Sequence, residues 1–597
     1  MKLERKDGSP VVGCFALCAI VGFVAQMSFG GTASTFDSDT FAFYPFDEGT
    51  VGEFQADQYN AVDRESFAGT AYKNPNNVAN STTRMSDEAP GKYVFAGRRQ
   101  TADRLVYTEP RSLRLGSGTF YSDKSASTYG YFEVPTASVE LSKHHDTGFT
   151  VEFFFKLNPE DGWYANSYQV GFDAGFCING GSNNARIKAL LPTRNEYETR
   201  LVVNSTSTGA NNKDIVAATD VRTKVSGFTS FKDGQWHHFA FVKEAGAIKY
   251  YIDRALVGSG TLENLGLTTQ EISSGYFNIG RVGGNEYSFG AAISCLRFSK
   301  VALSVDGFLS VGDEVHPSDV IAGYAFCDGA AGTSAAGSGV LKNMVDRGSN
   351  SGSVTLDTTA GANASATFDA DIPAPYVYFG KRARGSVPVY SNPQSVKVTS
   401  DVTGKAAEIA ISRLGTEISK LHGDGWTFEY FVKYLDEKQA SFAPAFFSCE
   451  CGYPKNGKGN SNFRFYMPVA VNDTWRKSIA YSLGSREDAG TPMFYYQKIP
   501  FDYLTDQAWH HVAVVAQSKS ADGGVKISAW VDGGCYGSIT IASAEELAVD
   551  KPLVLCHGKN YHVKLACVTL RKGAKTSAEF LKGYRTPGNG GMLLIFR

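Results

Sequence analysis

The sequence has no excess of charge of either sign. Its 597 residues include 58 Lys and Arg against 60 Asp and Glu, which leaves a formal net charge of -2. A chain with this balance has no long-range field that would attract nucleic acid or an anionic membrane. We therefore expect no nucleic-acid partner, and a membrane partner only through the N-terminal segment if that segment is not removed.

Motifs that mark catalysis or cofactor binding are also missing. The sequence contains no Gly-x-Ser-x-Gly elbow, no Walker loop and no dinucleotide fingerprint. Its ten cysteines include no Cys-x-x-Cys pair, which argues against a structural zinc site. Whether the cysteines are buried free thiols or form disulfides stays open. Cys449 and Cys451, two residues apart, are expected on one face of a strand. The sequence predicts no cofactor, with a bound calcium ion as the open alternative.

Long apolar runs are scarce, and the one that matters lies at the N-terminus. Lys2, Arg5 and Lys6 precede the apolar stretch Val11–Ala25, and small residues follow it. This order of charged, apolar and small residues is typical of a secretory signal. Because the stretch is shorter than the roughly 20 residues that span a bilayer, we predict a signal peptide at residues 1–33, with an uncleaved anchor as the alternative.

Glycine and aromatic residues, in contrast, are abundant. The chain contains 63 Gly, 40 Phe and 30 Tyr, a composition that favours strands joined by tight turns. Few segments show helical periodicity. The fold class predicted is therefore all-β.

The chain also repeats itself over long range. The blocks of the first half recur in the second half in the same order, with nearly constant offsets. They include Phe149–Lys156 with Trp426–Lys433, Trp236–Ala240 with Trp509–Ala513, Tyr250–Asp253 with Ala529–Asp532, and Ile293–Cys295 with Leu565–Cys567. Small drift in the offset indicates insertions and deletions in loops. We predict one domain at residues 35–310, a linker at 311–320, a second domain at 321–584 and a tail at 585–597.

The repeated blocks read as strands. Along Phe149–Lys156, alternate residues form a wholly apolar face and a mixed face, as expected for a sheet packed on one side. Asp532 is followed by two glycines, a strong signal for a tight hairpin. Short strands separated by turns indicate a sandwich or barrel.

These blocks resemble the laminin-G-like jelly-roll domain of the concanavalin A-like lectin/glucanase superfamily. The resemblance rests on Phe149–Lys156, on Gly234–Val242 with its Trp-His-His, on the Tyr-Ile-Asp hairpin and on Ile293–Ser299. It implies two tandem β-sandwiches after the export segment. It does not identify a ligand, because this fold carries lectins, adhesion modules and hydrolases.

The equivalent residues Glu152 and Glu429 are the best candidates for catalytic carboxylates. Glycoside hydrolases need two carboxyl groups close together, and each of these glutamates lacks a second carboxylate on its strand face. We therefore interpret each as a surface ion pair and expect no catalytic residues. The adjacent pairs His237–His238 and His510–His511 point to opposite sheet faces, so we expect one His of each pair to be packed and the other exposed.

Ligand-binding residues are harder to predict. Trp163, Tyr164, Asn166 and Tyr287 stand in loop-like sequence and could stack on or hydrogen-bond to a sugar. Asp173, Asp253 and Asp532 are the candidate calcium ligands, although Asp253 and Asp532 more simply serve their hairpin turns.

Together these patterns predict an exported or cell-surface protein that binds without catalysis and contributes to adhesion, with carbohydrate binding as the finer expectation. Its expected partners are a glycan or a surface or matrix protein. The alternatives are a structural surface scaffold without a small ligand and a divergent glycoside hydrolase.

Overall fold

A computed structural model of the chain shows the fold. The described residues are 36–64, 66–72, 83–115, 130–157, 170–174, 186–192, 195–205, 210–265, 267–280, 290–346, 350–356, 364–382, 388–399, 407–435, 445–455, 458–466, 478–483, 493–498, 506–557 and 562–585. The predicted signal peptide at 1–33 lies outside them, as does the predicted tail after Arg585.

The chain divides into two compact units. Unit 1 comprises Met1–Pro90 and Val106–Leu303, and unit 2 comprises Gly91–Leu105 and Ser304–Arg597. The segment predicted as a linker holds the end of one strand, the buried His316 and the start of another strand. The domain boundaries predicted from the sequence stay a prediction.

Both units are built almost entirely from strands. As far as residue 299 the strands are β1 (Thr40–Tyr44), β2 (Asp57–Gln58), β3 (Gly69–Tyr72), β4 (Arg84–Ser86), β5 (Tyr93–Ala96), β6 (Leu105–Thr108), β7 (Ser112–Arg114), β8 (Tyr131–Val134), β9 (Phe149–Leu157), β10 (Val170–Ala174), β11 (Arg186–Leu190), β12 (Glu198–Ser205), β13 (Ala210–Asp220), β14 (His237–Lys243), β15 (Ile248–Ile252), β16 (Ala255–Gly260), β17 (Phe277–Ile279) and β18 (Ala291–Ser299).

The later strands all lie in unit 2. They are β19 (Leu309–Gly312), β20 (Val320–Tyr324), β21 (Gly337–Leu341), β22 (Gly352–Thr355), β23 (Ser365–Asp369), β24 (Tyr376–Phe379), β25 (Tyr390–Ser391), β26 (Ser395–Thr399), β27 (Glu408–Ile411), β28 (Trp426–Tyr434), β29 (Ala445–Lys455), β30 (Lys458–Tyr466), β31 (Ser478–Leu483), β32 (Met493–Lys498), β33 (His510–Ala516), β34 (Val525–Val531), β35 (Gly534–Ile541), β36 (Leu553–His557), β37 (His562–Lys572) and β38 (Leu581–Tyr584).

Helices are few and short in the described part of the chain. Two α-helices, α1 (Ala137–Ser142) and α2 (Leu414–Lys420), occupy equivalent places before the long strands β9 and β28. Single 3-10 turns form at Ala102–Arg104, Val221–Thr223, Glu263–Leu265 and Val305–Gly307. None of the helices described here has the length and apolar character needed to cross a bilayer.

Unit 1 is a sandwich of two antiparallel sheets. One sheet has the order β16-β15-β14-β9-β18-β7-β4, with β1 also paired to β18, and the other has the order β13-β12-β11-β10-β17-β8-β3-β2. Their inner faces share one aromatic core, in which Phe172 of the second sheet lies 5.7 Å from Phe239 of the first, centroid to centroid. The apolar face predicted for β9 is confirmed, because Phe149, Val151 and Phe153 are all in this core.

Unit 2 repeats this arrangement. Its sheets have the orders β23-β26-β37-β28-β33-β34-β35, with β20 paired to β37, and β21-β22-β27-β36-β29-β30-β31-β32. A third sheet, β25-β24-β38, also belongs to this unit. The predicted placement of Cys449 and Cys451 on one face is confirmed, since both are buried in the core and both are free thiols. The described structure therefore confirms the predicted class of tandem β-sandwiches.

Candidate functional site

A row of polar residues crosses the second sheet of unit 1 on four adjacent strands. The Cα register pairs Glu133 of β8 with Asn278 of β17, Asn278 with Asp173 of β10, and Asp173 with Lys188 of β11. With neighbouring strands about 4.8 Å apart, the row extends over about 14 Å. We refer to these four residues as the polar strip.

The polar strip lies on the outer face of this sheet, turned away from the core. The neighbours of Glu133, Asn278 and Lys188 along their own strands, such as Phe132, Phe277 and Ile187, are core residues. Since side chains alternate between the two faces of a strand, these three strip side chains lie on the opposite face. Asp173 is placed by its register, and its side chain lies outside the described structure.

The strip has a buried floor and a more accessible end. Lys188 is 1% exposed and Asn278 is 5% exposed, whereas Glu133 is half-buried. The Oδ1 atom of Asn278 is buried and has no hydrogen-bond partner. A buried polar atom without a partner costs about 1–3 kcal/mol, so this carbonyl favours any ligand that donates a hydrogen bond to it.

Aromatic side chains border the strip on both sides. Tyr72 of β3 and Tyr131 of β8 are register partners, and their rings stack with centroids 4.5 Å apart and an interplanar angle of 14°. On the other side, the guanidinium of Arg186 lies 5.7 Å from the ring centroid of Tyr276. Both tyrosines of the stacked pair are half-buried, so part of this surface is open to solvent.

The same positions in unit 2 have lost this character. By register, Ala410 of β27 replaces Glu133, Val554 of β36 replaces Asn278, Ser448 of β29 replaces Asp173, and Arg464 of β30 replaces Lys188. The backbone framework is therefore duplicated, while at these four positions unit 2 keeps polar side chains only at Ser448 and Arg464.

A polar row between aromatic rings can bind a polyhydroxylated ligand. The amide of Asn278 and the carboxylate of Glu133 supply hydrogen-bonding groups for hydroxyls, and the ammonium of Lys188 supplies donors. Tyrosine rings supply faces on which the C–H groups of a sugar ring pack. Sequence reasoning missed all of these residues except Asp173, although the alternation in Tyr131-Phe-Glu-Val134 was a local signal for a polar outer face.

Most of the binding residues predicted from the sequence cannot be placed. Trp163, Tyr164, Asn166 and Tyr287 lie outside the described residues. Asp173, predicted as a calcium ligand, falls within the polar strip by register. No cluster of three His, Cys, Asp or Glu residues able to hold a metal occurs in the described structure.

The other two calcium candidates hold the Trp-His-His blocks in place. Asp253 lies 2.8 Å from Nδ1 of His237 and accepts a 2.9 Å hydrogen bond from the backbone N–H of His238. Asp532 repeats both contacts with His510 and His511 at the same distances. Each aspartate has a positive φ, 47° and 48°, as its place in the hairpin turn requires.

The charged partner raises the pKa of the first histidine in each block. Burial lowers the pKa of His237, but the hydrogen bond to Asp253 and the charges of Asp253 and Asp233 outweigh it, so the pKa lies above its usual range. The pKa of His510 is raised in the same way by Asp532 and Asp506. The Trp-His-His block is therefore bound by charge to its hairpin in both units.

The prediction that one histidine of each pair is exposed was wrong. His237, His238, His510 and His511 are all at least nine-tenths buried. The two residues of a pair do point to opposite faces, as predicted: His237 packs beside Phe155 in the core, while His238 lies 2.8 Å from Glu152. Both faces of this sheet are covered, so neither histidine reaches solvent.

The interpretation of Glu152 and Glu429 as surface ion pairs was also wrong. Both are 0% exposed. Glu152 accepts a 2.7 Å hydrogen bond from Nε of Arg297 and lies 2.8 Å from Nε2 of His238. Glu429 lies 3.0 Å from Nε2 of His511.

In unit 2 the three-stranded sheet β25-β24-β38 explains this burial. The backbone N–H of Leu581, the first residue of β38, donates a 2.8 Å hydrogen bond to Oε2 of Glu429. The third layer could not be predicted from Lys433, four residues further along the strand. This lysine forms an ion pair with Asp371, at 2.9 Å.

The comparison with protein families agrees with this architecture. Residues 126–307 match the laminin-G model of the concanavalin A-like lectin/glucanases superfamily. The match covers strands β8 to β18 of unit 1, a part of the chain whose sequence resembles this superfamily. No curated protein matches the chain.

Solved structures with a similar arrangement share little sequence with this chain. The mouse laminin alpha1 chain, domains LG4-5, is 9% identical, with a TM-score of 0.17 over 81% of this chain and 89% of that one. The binding domain of Paraclostridial Mosquitocidal Protein 1 is 10% identical, with a TM-score of 0.25, and the alignment spans 44% of this chain and half of that one. The carbohydrate-binding module CBM40 of the Ruminococcus gnavus IT-sialidase, bound to α2,3 sialyllactose, is 9% identical, with a TM-score of 0.19 over 27% of this chain and 83% of that one. Likeness at this level carries no argument about what the present chain binds.

Proposed function

We propose that this chain is an exported, non-catalytic binding protein whose unit 1 binds a carbohydrate on the polar strip. The observation that carries the proposal is the buried, unpartnered Oδ1 of Asn278, in a row with the half-buried Glu133 and the buried Lys188. A sugar hydroxyl supplies the missing donor. The stacked pair Tyr72–Tyr131 offers an apolar surface beside it.

The environment of Glu152 and Glu429 supports a binding role over a catalytic one. Each carboxylate is buried and already bound by a histidine, so neither is available to attack or protonate a glycosidic bond. We infer that their role is structural. The export segment predicted at residues 1–33 fits a partner outside the cell, either a free glycan or a glycosylated surface or matrix protein.

A glycan array probed with the full chain tests the proposal. We expect binding to a restricted set of glycans, and we expect Asn278→Val to weaken it at least about tenfold, because the strip then loses a buried hydrogen-bonding group. This substitution installs the residue that unit 2 carries at the equivalent position, Val554. Ser448→Ala in unit 2 is the matched control and should leave binding unchanged.

Three outcomes would contradict the proposal. Binding to no glycan would refute the carbohydrate partner. Equal binding by Asn278→Val and the unmodified chain, with circular dichroism showing both folded, would refute the site. Release of reducing sugar from a bound glycan, abolished by Glu133→Gln, would replace the binding role with hydrolysis.

A further inference from the structure

A cavity of about 450 Å3 opens in unit 2, on the side of the sandwich covered by the small sheet β25-β24-β38. Its size is within the range of small-molecule sites. It is formed where the turn after β34 meets β38 and the segment before it. The lining residues are His511, Asp532, Gly533, Ser577, Phe580, Leu581, Lys582 and Gly583.

The orientation of the lining residues is fixed from behind by a buried carboxylate. Oε2 of Glu429 lies 3.0 Å from Nε2 of His511 and accepts the N–H of Leu581 at 2.8 Å. The ring of Phe580 lies 5.4 Å from the His511 ring, centroid to centroid. The imidazole and the start of β38 are therefore positioned before any ligand arrives, which lowers the entropic cost of binding.

Three polar groups at this cavity have no partner among the residues that the structure describes. Within the described part of the chain, Nδ1 of His511 and Oγ of Ser577 make no hydrogen bond, and Nζ of Lys582 makes neither a hydrogen bond nor an ion pair. Lys582 and Ser577 are half-buried and line the cavity, so a ligand bound there would replace water on both groups. Two of the three are donors at neutral pH, and an ammonium favours an anionic oxygen.

The cavity also has an acceptor side and an apolar wall. Asp532 accepts hydrogen bonds from His510 and from the backbone of His511. Burial raises its pKa, but these partners outweigh burial and lower it, which keeps the carboxylate charged. An ionised carboxylate has lone pairs for further donors, and Phe580 and Leu581 provide the apolar wall.

The hairpin turn of unit 1 lacks the glycine that opens the cavity. The residue after the hairpin aspartate is Arg254 in the first copy and Gly533 in the second, with φ of 69° and 80°. A Cβ at Gly533 would meet only the Cβ of Ser577, at 3.8 Å. The glycine therefore leaves open the space that a side chain would fill.

We propose that this cavity binds one acidic sugar residue, with its carboxylate or sulfate on Lys582 and Ser577 and its hydroxyls on Asp532 and His511. The site is separate from the polar strip of unit 1 and does not depend on it. Two different sites on one chain would let it recognise two features of one glycosylated surface, with the gain in avidity that linked sites give.

Isothermal titration calorimetry with the full chain tests this site. The probes are glucuronate, galacturonate, N-acetylneuraminate and glucose 6-sulfate, with glucose as the neutral comparison. We expect one acidic probe to bind with a roughly millimolar Kd, glucose to bind at least tenfold more weakly, and added salt to weaken the acidic probe. The preferred probe distinguishes a carboxylate from a sulfate.

Two substitutions locate the binding. Lys582→Met removes the ammonium and should raise the Kd of the acidic probe at least tenfold, while Lys526→Met, at an exposed lysine of β34, should leave it unchanged. Gly533→Arg should block the cavity, and the first copy shows that Arg is tolerated at this turn position. Retention of the wild-type Kd by Lys582→Met would overturn the proposal, as would no binding of any acidic probe. Loss of binding of the acidic probe in Asn278→Val would also overturn the proposal, because the binding site would then be the polar strip of unit 1.

Discussion

Replacing Arg297 with methionine should cost unit 1 much of its stability. Arg297 is 1% exposed and its Nε donates a 2.7 Å hydrogen bond to Glu152, which is itself 0% exposed. Without the guanidinium, the buried carboxylate of Glu152 loses its ion pair with Arg297 and keeps its contact with His238. Breaking a buried ion pair on one side typically costs about 3–5 kcal/mol, and we expect a loss of this size.

Urea unfolding followed by far-UV circular dichroism measures this loss. The double substitution Glu152→Met with Arg297→Met removes both charges and should recover most of the stability, because apolar residues of similar volume often replace a buried pair at little cost. Lys156→Met is the control on the same strand, since its pair with Glu88 is 3.3 Å long and partly exposed, and should change stability by about 0–1 kcal/mol. If Arg297→Met unfolded at the wild-type urea concentration, or if the double substitution were as unstable as the single one, the reasoning would be refuted.

Three further predictions concern unit 2 and use the same unfolding assay, the first two of them across pH. His510→Asn should destabilise the protein most below pH about 6.5, and the loss of stability should shrink as the pH rises through the raised pKa of His510. A stability difference between wild type and variant that grows with pH would contradict this. Burial lowers the pKa of His422 to about 4, against a hydrogen bond to the Cys451 carbonyl that raises it. The wild type should therefore lose stability as the pH falls from about 6.5 towards 4, and a His422→Gln variant that kept this slope would exclude His422 as its cause. At Gly452, with φ of 82°, a Cβ would lie 1.8 Å from the Glu545 carbonyl oxygen, so Gly452→Ala should cost more than about 2 kcal/mol. Gly332→Ala, at φ of 87° with no atom within 4 Å, should cost only the strain of about 1–2 kcal/mol, and equal losses would show that the contact is relieved.

Much of the fold could be predicted because it is set by local alternation and by repetition. The apolar face of Phe149–Lys156 and the common face of Cys449 and Cys451 depend only on strand periodicity. The hairpins at Asp253 and Asp532 depend on turn chemistry. The apolar strand block and the hairpin aspartate occur in both copies, so those two predictions could be checked against the sequence itself.

The candidate site could not be predicted, because its residues come from distant parts of the chain. Glu133, Lys188 and Asn278 are brought together by strand order, and nothing in the local sequence gives that order. The burial of Glu152 and Glu429 was missed for a related reason. A mixed strand face suggests contact with solvent, but Glu152 pairs with the buried Arg297, and Glu429 lies beneath the small sheet that contains β38.

The pairing of β1 with β18 has a mechanical consequence. Thr40 is opposite Ser299, and the N–H of Lys300 donates a 2.7 Å hydrogen bond to the carbonyl of Asp39. The first and last strands of unit 1 are thus antiparallel neighbours whose free ends lie at the same end of the ladder. Tension between residues 39 and 300 therefore loads one hydrogen bond at a time and peels the strands apart, whereas a shearing geometry would load the whole ladder at once. Unit 1 pulled at these two residues would therefore open at a lower force than the same strands pulled in shear, and the chain would lengthen as it opened.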